Sequence, residues 1–86
     1  IYVYGEVATP GAIEINYNAN ATLLKAIIKA GGPTERANLS KVLLKRTEKQ
    51  QKEKTYKVNV KDIIKGKAKD IFLKDGDIIV IPESFF

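Results

Sequence analysis

The chain contains no cysteine and no histidine. Without cysteine there is no disulfide, no thiolate ligand and no thiol nucleophile, and either redox compartment suits the protein. Without histidine it lacks the commonest general base at neutral pH and the commonest metal ligand. Catalysis would fall to paired carboxylates or to an activated Ser, Thr or Lys, yet the ten acidic residues are scattered over loops and turns. The sequence therefore reads as a non-enzyme, with no catalytic residue, no metal and no cofactor. Long apolar runs are missing too. None approaches the roughly 20 residues that cross a bilayer, so this segment is expected to make no membrane contact of its own. No signal-peptide pattern opens it. Arginine is scarce, at Arg36 and Arg46 alone, and the basic residues are not interleaved with aromatics. That argues against nucleic acid as a partner.

What is present suits one small globular domain over residues 1–86: 44% of residues are hydrophobic and 29% charged, with little Gly or Pro. The lack of an initiator Met and the start inside a strand-like run suggest a segment of a larger chain. The net charge of +5 comes almost wholly from lysine. Such a surface either keeps a domain soluble or attracts anions such as acidic glycans.

Periodicity gives the elements. Ile1 to Val7 alternates with period two and predicts a strand. Thr9-Pro10-Gly11 predicts a turn, proline presetting φ and glycine supplying a positive one. Ala12 to Ile15 alternates again and completes a hairpin. After the polar stretch Asn16–Asn20, either Asn20 or Thr22 caps a helix of about three turns. Its apolar stripe is Leu23, Leu24, Ile27 and Ile28, with Lys25 and Lys29 outward, and Gly31-Gly32-Pro33 stops it. Thr34 to Ser40 predicts a connector, with room for one helical turn, anchored by Leu39. Strands are predicted at Val42–Thr47 and Thr55–Val60, joined by the charged tip Glu48–Lys54. Asp62 to Gly66 reads as a single helical turn and Ile71 to Leu73 as a short extended piece. Lys74-Asp75-Gly76-Asp77 reads as a tight turn rather than a cation site, since two carboxylates are too few for calcium. The apolar run Ile78–Ile81 predicts a last strand buried on both faces, hence central. The expected class is α+β: a ubiquitin-like β-grasp with a mixed sheet of four to five strands, one main helix on one face and a short helical turn. In that layout the last strand lies parallel beside the first.

Candidate binding residues follow from exposure. Tyr2 and Tyr4 alternate with core positions and should lie on the sheet face away from the helix. There they either cover the sheet as cross-strand pairs, anchor a protein interface or stack on sugar. Lys45, Arg46 and Lys57 belong to a lysine-rich hairpin, interrupted by Glu48 and Glu53, that is either a solvated tip or a contact for an acidic partner. Phe85 and Phe86 either pack on a further domain or simply end the segment.

Several pieces carry a family resemblance. They are Val3-Tyr4-Gly5-Glu6-Val7 with Pro10-Gly11, then Thr22-Leu23-Leu24-Lys25-Ala26-Ile27 leading to Ala30-Gly31-Gly32. Ala37-Asn38-Leu39-Ser40-Lys41-Val42 and Leu73-Lys74-Asp75-Gly76-Asp77-Ile78-Ile79-Val80-Ile81-Pro82 follow in order. With these the chain resembles the soluble-ligand-binding β-grasp (SLBB) domains of outer-membrane polysaccharide export proteins. The resemblance implies a non-catalytic periplasmic module of a capsule or exopolysaccharide exporter, associated with the outer membrane. Its partners would be sister domains and subunits in a homo-oligomeric ring, with polysaccharide as a further contact. The alternative within the wider family is a domain that binds a glycan or a cobalamin-like small molecule outside an exporter. The matching pieces are turns, a helix stop and core positions, so they do not name the ligand.

Overall fold

In a computed structural model the chain is described over residues 1–16, 21–49 and 52–84. Four expectations fall wholly or partly outside those residues: the polar stretch beyond Asn16, the helix cap at Asn20, the Gln50-Gln51 centre of the hairpin tip, and Phe85-Phe86.

The elements run β1 (Tyr2–Gly5), β2 (Gly11–Ala12), α1 (Leu23–Lys29), a 3₁₀ turn (Leu39–Lys41), β3 (Val42–Thr47), β4 (Glu53–Val58), α2 (Val60–Ile64) and β5 (Ile78–Ile81). The strands form one sheet in the order β2-β1-β5-β3-β4. β5 pairs parallel with β1 and antiparallel with β3. This is the β-grasp arrangement: a mixed sheet, the last strand parallel beside the first at the centre, and one main helix.

The register sorts the side chains. Val3, Ile79, Leu44 and Tyr56 lie in one row across the strands on the helix side. Val3, Ile79 and Leu44 are buried in the core cluster with Leu23, Ala26, Ile27 and Ala30 of the helix region. The helix spacing is 23, 26, 27 and 30, one stripe of a 3.6-residue period. Ile28, expected on that stripe, is 63% exposed, because it lies about 100° around the helix from Ile27. Leu24 is half-buried.

Helix α1 has seven residues, shorter than predicted. Both ends are fixed. The Thr22 hydroxyl accepts from Lys25 N, and Thr22 itself is extended, bridged to Phe72. The free N–H groups of the first turn are met from far along the chain: Leu23 donates to Ile71 O and Leu24 to Asp70 Oδ1. At the other end Gly31 and Gly32 take φ of 91° and 83°, and their N–H groups donate to Ile28 and Ile27 carbonyls. The stretch Ile71–Leu73, predicted extended, is a bridge to the helix entry rather than a sheet strand. The fourth strand ends at Val58, two residues early. Asn59 caps α2 through its side chain, and Val60 is buried as the first helical residue.

Gly5 sets the closest approach in the sheet. It closes β1 with φ of 92°, and a Cβ there would sit 2.1 Å from Ile81 O in the neighbouring strand. Gly5→Ala is expected to cost roughly 3 kcal/mol or more, since both the conformation and the space exclude a side chain. In a domain of this size that lowers the unfolding midpoint by roughly 12–24 °C. Gly66, at φ 78° with open space around it, provides the control. Gly66→Ala should cost only about 1–2 kcal/mol. Equal melting temperatures for the two variants would refute the steric account.

Candidate functional site

The face of the sheet turned away from the helix is not covered by any described element. Its residues are the alternate positions of each strand. One row runs Ala12, Tyr2, Ile78, Lys45 and Thr55, and the next runs Tyr4, Val80, Leu43 and Lys57. Ile78, Val80 and Leu43 are half-buried, whereas Tyr2 and Tyr4 are 43% and 47% exposed. The two tyrosine rings are stacked, with centroids 6.3 Å apart and planes 8° from parallel. They form a stacked aromatic pair at the β1 side, and the lysines stand at the β3–β4 side. Three strand spacings separate Tyr4 from Lys57, about 14 Å.

A protein-family model described as the SLBB domain matches residues 1–81. The chain belongs to the SLBB domain family. No curated protein matches the chain. The family is one of ligand-binding domains, so the SLBB domain is read here as a binding module. Among the described residues no helix is long and apolar enough to cross a membrane.

The structure divides the five candidate residues. Tyr2, Tyr4, Lys45 and Lys57 share the open face of the SLBB domain. Arg46, one residue along β3, points to the opposite side. Its Nε donates to Asp77 Oδ1 at 3.0 Å, and its Nη2 donates to Asp77 Oδ2 at 2.8 Å and to Phe72 O at 3.0 Å. The hydrogen bonds to Asp77 raise the Arg46 pKa further, so the guanidinium stays charged. Asp77 is 1% exposed and also accepts from Lys74 N at 2.8 Å. Its backbone joins the same knot: Asp77 N donates to Lys74 O, and Asp77 O accepts from Tyr2 N. The bidentate fork satisfies a carboxylate that would otherwise be buried at great cost. Asp77 therefore belongs to the framework beneath the site, and Arg46 is committed to it.

This pair was hidden in the sequence by the Asp-Gly turn signal, which explained Asp75 and Asp77 together. The available clue was period two. Val42 and Leu44 face the core, so Arg46 must too, and an inward arginine needs a buried acid.

Tyr56 is the second residue that sequence reasoning passed over. It faces the helix side on the edge strand β4, and its hydroxyl donates to Glu48 Oε1. That bond, followed by Lys54 and Lys74, holds the Glu48 carboxyl below its usual 4.5, and the same bond holds the Tyr56 phenol above its usual 10.0.

Two predictions follow from these contacts. Arg46→Met and Asp77→Asn should each destabilise the domain by about 3 kcal/mol or more, because each leaves a buried polar partner unmatched. The double variant should cost less than the sum by at least about 1 kcal/mol in urea unfolding, and strict additivity would show that the pair is not coupled. The second concerns pH. A carboxyl held low adds stability that is complete above its unfolded value near 4.5 and is lost as pH falls through the folded value; a phenol held high adds stability that is complete below 10.0 and is lost as pH climbs through its folded value. Tyr56→Phe removes the phenol's contribution and the share of the carboxyl's that the hydrogen bond supplies. NMR titration of the Glu48 side chain should then return toward 4.5, whereas an unchanged titration would assign the depression to the lysines instead.

Proposed function

We propose that this SLBB domain is a non-catalytic module of a periplasmic polysaccharide export protein, and that its open sheet face is the surface through which it meets sister domains and subunits. In this reading the domain is part of a larger, outer-membrane-associated chain that assembles as a ring and passes capsule or exopolysaccharide outward. The family match over residues 1–81 supports a binding module, and the export context is what the resemblance of its motifs implies. The observation that carries the contact surface is the half-apolar, uncovered row structure of the sheet, with Tyr2 and Tyr4 exposed beside Ile78, Val80 and Leu43. Exposed aromatics on a flat face beside aliphatics are the composition of an interface centre, and lysines at the edge belong to its rim.

The parallel tyrosine rings favour a second reading, in which the same face receives a sugar. A pyranose presents a flat C–H face that stacks on an aromatic ring, and the exposed, parallel Tyr2–Tyr4 pair offers such rings on this face.

Sedimentation of the export protein carrying Tyr2→Ala and Tyr4→Ala separates the two. Loss of two central aromatics should weaken self-association by about ten-fold or more. An unchanged oligomer, together with amide shifts on the wild-type Tyr2–Tyr4 face when neutral exopolysaccharide fragments are added, transfers the face to the glycan. An unchanged oligomer with no such shifts rejects both readings of this surface.

A further inference from the structure

On the other side of the β3–β4 hairpin the chain forms a groove of about 400 Å³ at the far end of the sheet, where α1 does not reach. Lys49, Lys52 and Lys54 of the hairpin line it, and Lys74 joins them from the turn before β5. Arg46 lies beneath, neutralised by Asp77. Glu48 is the acidic residue lining the groove, bonded to the Tyr56 hydroxyl and 3.7 Å from Lys54 Nζ. Asp75 sits in the same turn as Lys74. Four lysines and one carboxylate, Glu48, thus line the groove, and even with Asp75 counted beside them it is left positive.

Three features set this groove apart from an ordinary lysine-rich surface. It is concave, and its size falls within the range of small-molecule sites. Its lysines come from two separate parts of the chain, about 20 residues apart. And Lys74 is fixed at its base: its N–H donates to Asp77 Oδ2, the carboxylate oxygen that also receives the guanidinium. The buried pair thus holds one wall of the groove against the other.

We propose that this groove is a second binding site of the domain, taking an acidic polysaccharide whose carboxylate groups alternate along the chain and pair with Lys49, Lys52, Lys54 and Lys74. The inference rests on the reading of the domain as a module that meets polysaccharide, and it adds the class of polysaccharide: polyanionic rather than neutral. Charge complementarity carries the choice. Ammoniums are compact, flexible point charges that suit carboxylates spaced along a polymer, whereas the groove lacks the arginine forks and stacking aromatics that favour nucleic acid. Arg46 is already used, and Tyr56 turns its hydroxyl to Glu48.

The test is an amide-shift NMR titration of residues 1–86 with a hexameric oligouronate, with neutral maltohexaose, with inorganic phosphate and with an oligothymidylate of equal charge. The oligouronate should give saturable shifts at Lys49, Lys52, Lys54 and Lys74, weakening as sodium chloride rises from 50 to 500 mM. Lys52→Gln with Lys74→Gln should reduce its affinity about ten-fold, while Lys65→Gln with Lys67→Gln, exposed lysines outside the groove, should leave it within about two-fold. Maltohexaose and phosphate should leave the groove amides unmoved. Equal binding of the oligothymidylate, or of phosphate, would overturn the proposal in favour of a general cation surface. Shifts confined to Tyr2 and Tyr4 with either sugar would also overturn it, while leaving the domain a glycan-contacting module. Silence everywhere would remove both.

Discussion

The architecture depends on one buried carboxylate. Asp77 sits where the turn before β5 enters the sheet, almost wholly removed from solvent. Its side chain receives three hydrogen bonds, two from Arg46 and one from Lys74 N, and its backbone receives Tyr2 N. Those contacts tie β1, β3 and the 72–77 segment to a single point. Removing a charge from water costs several kcal/mol, and the pairing offsets that only with good geometry on every lone pair. The contribution of the pair is therefore less a gain in stability than a penalty on every alternative arrangement. If β3 slipped by one residue, Lys45 would turn inward and Arg46 outward, leaving Asp77 with a single point charge in place of a fork. The core residues Val42 and Leu44 would turn to solvent in the same step. Apolar and ionic constraints thus specify one register.

That register creates the two functional candidates. Because side chains alternate strictly along a strand, holding Arg46 inward holds Lys45 outward beside Ile78, and Lys57 outward beside Leu43. The open face inherits tyrosines at one end and lysines at the other. Across the sheet, the same alternation places Lys54 opposite Arg46 on the helix side, where it joins the basic groove. The hairpin is lysine-rich on both faces, but the two faces have different neighbours. Aliphatic Ile78 and Leu43 adjoin Lys45 and Lys57 on the open face, whereas Arg46, Thr47 and Glu48 line the groove beside its lysines.

Much of this fold was legible because local signals and global packing agreed. The four-residue apolar run at Ile78–Ile81 announced a central strand, and β5 lies between β1 and β3. The Gly31-Gly32 stop, the Thr22 cap and the alternation of Val42 to Lys45 all appear as read. The differences arise where distant residues decide. Helix α1 begins at Leu23, after the second of the two caps the sequence offered, because Ala21 and Thr22 are held extended by Phe72 and Leu73, about 50 residues away. Ile28 leaves the core because a two-turn helix has room for one narrow stripe, and the small Ala26 and Ala30 occupy the positions closest to the sheet. Of the site, Tyr2, Tyr4, Lys45 and Lys57 were legible as a set because period two determines a face. Arg46 was not, since charge alone gives no direction, and Lys74 was not, since its place beside the hairpin depends on the Asp77 knot.

The separation between framework and surface explains how one fold serves a family of binding domains. Every residue that fixes the sheet points inward or lies in a turn: Val3, Gly5, Leu44, Arg46, Asp77, Ile79 and Ile81. The residues offered to a partner lie on the open face, on the hairpin or in the turn before β5, and they contribute side chains where the framework uses backbone. A change at Tyr2 or Lys52 alters what the surface prefers without disturbing the hydrogen bonds that hold it, because those bonds run through Tyr2 N and not its ring. Ligand choice is therefore written in the positions that packing leaves unconstrained, and the resemblance carried by turns and core residues identifies the scaffold without identifying its ligand.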